Sequence, residues 1–188
     1  MAMRPLVWFR RDLRARDHRA LDAACRAADD GVVGVFVCTP KQWQRHDDAP
    51  AKVHFWLENL RELSATLANR QIPLVIETVP TFDAVPKTLC DVAQRTGCDA
   101  LYFNHEYEVN EQARDEATEA LFEKHDLAVY TFHDRVVLPP AGIEKNDGGF
   151  YSVFTPYSRV WKDRVSDDDM HLLQLPPNQK QIAVTASK

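Results

Sequence analysis

The chain has 188 residues, 45% of them hydrophobic, and a formal net charge of -5. That length and apolar content suit one domain with a substantial core plus a tail. The acidic balance excludes an electrostatic glove for nucleic acid built by this chain alone, since phosphate binding relies on concentrated Lys and Arg, but not a protein whose basic face lies on another domain.

In chain order, residues 5–9 (PLVWF) read as a first strand that stops in the charged cluster RRDLRARD, and helical spacing resumes over 17–29. A second strand is predicted over 31–37 (GVVGVFV), followed by the loop CTPKQWQRHD from Cys38 to Asp47. Residues 50–69 carry the clearest helical pattern, with Val53, Trp56, Leu57, Leu60, Leu63 and Leu67 three or four apart. Strands at 73–77 (PLVIE), 99–103 (DALYF) and 128–132 (AVYTF) alternate with helices at 83–96 and 110–125. Short, near-continuously apolar strands alternating with helices imply a parallel sheet covered on both faces. The predicted fold class is α/β: a doubly wound, five-stranded parallel sheet of Rossmann-like type, flanked by helices. After residue 133 the rhythm breaks into a stretch with prolines and paired glycines at its turns and no sixth strand–helix unit. From Ser166 the chain turns acidic, proline-interrupted and then polar, the composition of a loosely docked or mobile linker.

Ligands of an open parallel sheet bind outside the carboxyl ends of its strands, where strand order reverses. The loops to inspect are therefore Arg10 to Asp17, Cys38 to Asp47, and Asn104 to Glu116 (NHEYEVNEQARDE). No G-x-G-x-x-G follows the first strand and no G-x-x-x-x-G-K-[ST] occurs, which argues against dinucleotide oxidoreductases and P-loop enzymes. The serines lack a nucleophile-elbow context, and the seven histidines lack metal-ligand spacing, so no catalytic or metal residue is assigned. Cys25, Cys38, Cys90 and Cys98 form no CxxC; they read as small buried hydrophobes of a reducing cytoplasm. No signal-like or membrane-spanning apolar run is present, so the protein is expected to be soluble and cytoplasmic.

Three candidate binding residues have ordinary structural readings beside functional ones. Asn110 is a favoured helix N-cap and Glu111 a first-turn acid, yet a carboxylate at an exposed helix start also accepts paired N–H donors from a flat heterocycle. His46 reads as a surface-loop histidine or as a rim contact. Arg10, Arg11, Arg14 and Asp12 read as a salt-bridge knot that satisfies itself at a strand end.

The stretch VWFRRDLRARDHRAL resembles the opening signature of the photolyase/cryptochrome family, W-F-R-x-D-L-R followed by D-N-x-A-L. FNHEYEVNEQARDE resembles the YNYQYEVNERARD-like wording of folate-carrying members, and YSVFTPYSRVWKDR the V-F-T-P-F segment where the first domain ends. His18 stands where the family carries Asn, at a helix start. The resemblance implies an antenna-cofactor domain at 1–165 and the start of an interdomain linker at 166–188, with the helical FAD domain and its DNA groove absent from this sequence. It further implies a class I photolyase for cyclobutane pyrimidine dimers, a carbon–carbon lyase that is inactive in this chain alone. Deazaflavin-type members carry Pro-Tyr-Gly after the glutamate of the fourth-strand loop; here Glu108 is followed by Val109, Asn110 and Glu111, which resembles the 5,10-methenyltetrahydrofolate type. The implied antenna contacts are Asn110, Glu111 and His46, weak without the helical domain, with damaged DNA as the partner of that domain. The same domain in a cryptochrome photoreceptor, or a stand-alone nucleotide-binding module, are the alternatives.

Overall fold

The computed structural model describes residues 2–139, 142–145 and 148–187. Its elements are β1 (Pro5–Phe9), α1 (Arg19–Ala27), β2 (Val33–Cys38), α2 (Pro40–Arg45), α3 (Pro50–Ala68), β3 (Leu74–Thr78), α4 (Val85–Thr96), β4 (Ala100–Asn104), α5 (Val109–Lys124), β5 (Ala128–Phe132) and α6 (Phe154–Arg164). All four strand pairings are parallel, in the order β3-β2-β1-β4-β5. Leu6 of β1 pairs with Val33 on one side and Leu101 on the other. The chain winds outward from β1 through β2 to β3, then returns to the other side of β1 for β4 and β5. The reversal therefore lies between β1 and β4, and the doubly wound α/β expectation holds.

Alternate residues of the central strands face two separate cores. Val7 and Phe9 of β1 pack with Leu21 and Ala24 of α1 and with Leu60, Leu63 and Leu67 of α3. Leu6 and Trp8 pack on the other face with Leu89 and Val92 of α4 and Phe122 of α5. Every residue of β1, β2 and β4 is buried, whereas the edge strands β3 and β5 are partly open. Burial on both faces is what the continuous apolar runs require.

Several boundaries differ from the sequence reading, each for a local reason. β2 begins at Val33 because Gly31 takes a left-handed φ of +76°, and a Cβ there would lie 2.6 Å from the Lys180 carbonyl oxygen. α1 begins at Arg19 because Asp17 also turns left-handed and His18 is the N-cap. The His18 Nδ1 accepts the Leu21 N–H at 3.0 Å, so histidine does here the capping work of an asparagine. α2 and α6 lie in stretches read as loop. Each carries its proline in the first turn, where the missing N–H would have no helical partner in any case. Pro140 of the expected proline turn lies outside the described residues.

The segment after Ser166 is seated, contrary to the expectation of a loosely docked linker. Leu175 packs on the core beneath α1 and α3, and Ile182 and Val184 on the opposite core. The Gln179 N–H donates to the Arg70 carbonyl at 2.9 Å and the Ser187 N–H to the Leu74 carbonyl at 2.9 Å. The Ile76 N–H donates to Ser187 Oγ at 2.7 Å, so the tail covers part of the open β3 edge. Its apolar residues are few but spaced to reach the seams that the helices leave.

Candidate functional site

The arginines after β1 reach far beyond their own loop. Arg10, 7% exposed, donates to Asp115 of α5 at 3.0 Å. Arg11 donates to Glu108 at 2.6 Å and to Glu111 at 2.7 Å. Arg14 donates to Asp134, after β5, at 2.6 Å. Asp12 accepts the Arg10 N–H at 2.9 Å and the Asn104 amide at 2.7 Å, and its Oδ2 lies 3.0 Å from His18 Nε2. Because His18 Nδ1 accepts the Leu21 N–H, the Nε2 carries the proton and donates to Asp12. The cluster is thus no self-satisfying knot. It ties the β1 loop to the β4 and β5 loops across the strand-order reversal.

Arg10, Arg11 and Glu111 of this network form one wall of a cleft at the carboxyl ends of β1, β2 and β4. Its floor is Trp8 with the Arg114 guanidinium, which lies 4.6 Å from both the Trp8 and Phe82 ring centres. Arg10 lies 4.5 Å from the Trp8 ring and 4.7 Å from Phe103, so aromatic faces serve the nitrogens of Arg10 that lack a hydrogen-bond partner. Burial alone would lower the Arg114 pKa, but Asp115 and Glu106 beside it outweigh that and raise it. The opposite wall is Trp43 and Trp56, ring centres 6.0 Å apart, supplied by α2 and α3.

The three residues implied by the resemblance meet at this cleft, in different roles. Glu111 is 2% exposed and lines it. His46, the C-cap of α2, also lines it; its Nε2 lies 2.9 Å from Gln42 Nε2 and 3.3 Å from Asn110 Nδ2, and its ring meets Phe82 edge-on. With two amide donors aimed at it, Nε2 is an acceptor. Asn110 is exposed and reaches the cleft only through His46. Asn110 is not the N-cap: α5 starts at Val109 with Glu108 at the cap, which places Glu111 in the third helical position.

Sequence reasoning missed Glu106, Arg114, Asp48 and the Trp43–Trp56 wall. A signal existed for Arg114. The buried stripe of α5 is Glu111, Arg114, Asp115, Thr118 and Phe122, a polar stripe at helical spacing where a core helix would present leucines. Charges facing inward at that spacing mark a site or a buried network. The four cysteines are free and buried, and burial pushes the Cys25 thiol up to about 12 and Cys98 up to about 11, which removes them as nucleophiles. No group of metal-ligating side chains occurs among the described residues. Likewise, none of the described helices is long and apolar enough to cross a membrane.

A cleft with an aromatic wall, buried carboxylates and a position at the reversal of strand order suits a planar heterocycle with N–H donors on its edge. Comparison with known proteins agrees with the fold. The family model for DNA photolyase matches residues 5–178. A deoxyribodipyrimidine photo-lyase of Salmonella typhimurium is 39% identical over 163 residues, covering 87% of this chain and 34% of that protein. Cryptochrome-1 of Arabidopsis thaliana is 32% identical over 154 residues, covering 81% of this chain and 22% of that protein. A bacterial class III photolyase structure from Agrobacterium tumefaciens superposes with a TM-score of 0.78 at 24% identity, covering 100% of this chain and 37% of that one. The chain thus spans about a third of the length of the curated photo-lyases it matches. On the family match over nearly its whole length, the chain belongs to the DNA photolyase family.

Proposed function

We propose that this domain seats an antenna chromophore, 5,10-methenyltetrahydrofolate, for a light-driven photolyase of cyclobutane pyrimidine dimers. The observation that carries the reading is Glu111: a carboxylate 2% exposed, at the lip of an aromatic-walled cleft, held from behind by Arg11 at 2.7 Å. A pterin edge presents an exocyclic amine beside a ring N–H, and one carboxylate accepts both. His46 and Asn110 form the rim, and Trp43 and Trp56, their rings inclined at 58°, supply the aromatic wall. When bound, the folate absorbs near-ultraviolet or blue light and passes the excitation to FAD. The work of this chain is binding and orientation.

FAD, repair and contact with damaged DNA belong in this reading to a helical domain that packs against this one. The net charge of -5 supports that division, since little of the DNA affinity is available here. The likeness to Cryptochrome-1 favours one second reading, the same antenna domain in a photoreceptor. Titrating the chain with the folate while following tryptophan emission tests the seat. Saturable quenching is expected, weak in the isolated chain and tighter when the helical domain is supplied. Quenching that rises linearly without saturation in both would overturn the reading.

A further inference from the structure

The seat assigned to Glu111 leaves a neighbouring carboxylate unexplained. Glu106, just after β4, has a side chain 4% exposed and lines the same cleft. Its Oε2 accepts from Arg114 at 2.8 Å, but its Oε1 is buried with no hydrogen-bond partner. Arg11 Nε at 3.8 Å and Arg135 Nη1 at 4.0 Å flank Oε1 without bonding it. Asp48 repeats the pattern on the facing wall. Its Oδ1 takes Lys52, its Oδ2 is buried and unpaired, and it too lines the cleft.

Buried acceptors without hydrogen-bond donors are uncommon, because each has given up its water without a hydrogen bond to replace it. Two of them around one cleft, added to Glu111, describe a ligand with N–H groups on more than one edge. An amino-substituted pterin head fits: its exocyclic amine carries two hydrogens and its ring carries more. The pyrimidine edge of a flavin alternates carbonyl, N–H and carbonyl, so facing these carboxylates it would set carbonyl oxygen against carboxylate oxygen. We propose that Glu106, with Asp48, is a ligand acceptor that selects an amino-pterin over an oxo-flavin in this cleft. The proposal rests on the antenna reading and assigns it a specificity residue.

The test is a pair of titrations, with 5,10-methenyltetrahydrofolate and with FMN, on the parent, Glu106→Gln, Asp48→Asn and Glu111→Gln. The parent should prefer the folate. Glu106→Gln should lose folate affinity by about tenfold or more while FMN binding holds or improves, since a charge-assisted bond is replaced by a donor facing a donor. Asp48→Asn should move the same way by a smaller factor. Should Glu106→Gln not fold, Glu106→Asp decides, because it keeps the charge and withdraws the oxygen by one methylene. Folate affinity equal to the parent's in a folded Glu106 variant, with Glu111→Gln weakened, overturns this inference alone and leaves Glu106 as the partner of Arg114. A parent that takes FMN as tightly as the folate overturns the selectivity. Failure of every protein to bind folate overturns the antenna reading itself, and this inference with it.

Discussion

Asp12→Ala should destabilise the domain by about 3–5 kcal/mol, the cost of leaving buried donors without the carboxylate that accepts from them. Asp12 is 8% exposed and is the single acceptor on which the Arg10 N–H, the Asn104 amide and the His18 Nε2–H converge. Alanine would strand the buried Arg10 N–H and His18 Nε2–H, while the Asn104 amide would keep Asp134 at 3.2 Å. His18 cannot adapt by moving its proton, because its Nδ1 is engaged as the cap of α1. For a domain of this size the loss corresponds to a fall in Tm of roughly 6–20 °C. The pH dependence provides a second readout. Burial alone would raise the Asp12 pKa, but His18 and Arg10 outweigh it and hold the carboxyl far below its ordinary 3.8. A depressed native pKa gives stability that is present above the unfolded value and lost as the pH falls through and below 3.8. The parent should therefore lose stability steeply in that acid range, and Asp12→Ala should show a shallower decline. A variant that melts within a few degrees of the parent would mean that the loops after β1 and β4 hold without this hub.

Glu111→Gln should weaken folate binding on the order of tenfold to a hundredfold, as expected when a charge-assisted hydrogen bond of roughly 1.5–3 kcal/mol is lost. The substitution keeps the size of the side chain and turns one acceptor into a donor that faces the pterin's own N–H. The stability change should stay near 1 kcal/mol, comparable to the usual effect of a first-turn acid. Glutamine still offers Arg11 an acceptor, and Arg11, about a third exposed, keeps Glu108 at 2.6 Å. Titration beside thermal melting separates the roles. A variant that holds folate as tightly as the parent while melting clearly lower would make Glu111 a structural residue only.

The sheet was legible in the sequence because burial on both faces leaves strands such as Val33–Cys38 almost purely apolar, and the lengths of the intervening segments leave little but parallel crossovers. β5, an edge strand, was also placed to the residue, since its β-branched and aromatic content survives partial exposure. The short helices were less visible. α2 buries only Gln42, and α6 buries nothing among the described residues, so neither carries an apolar stripe to read. The seated tail was missed for a related reason. Leu175, Ile182 and Val184 are isolated apolar residues whose docking sites exist only after the helices have packed.

At the site, the three residues implied by the family wording converge on one cleft, but their division of labour was not legible. That Glu111 is buried while Asn110 beside it is exposed follows from which helical face meets the β1 loop, and this depends on α5 starting at Val109. The reach of Arg11 across 100 residues to Glu111 is a tertiary fact with no local trace. Glu106 and Asp48 are anonymous in sequence. Only the burial of oxygens without partners distinguishes them.

The central claim, that the cleft between the loops after β1, β2 and β4 is the chromophore seat, is tested most directly by the indole N–H signals of the four tryptophans in a nitrogen-15 labelled chain. Trp8, Trp43 and Trp56 line the cleft, while Trp161 lies on α6 and is not among its lining residues. On titration with 5,10-methenyltetrahydrofolate, the Trp43 and Trp56 signals should shift together and saturate, Trp8 should follow at smaller amplitude, and Trp161 should stay in place. Saturating shifts at Trp161 with Trp43 and Trp56 unmoved would place the ligand elsewhere and contradict the account.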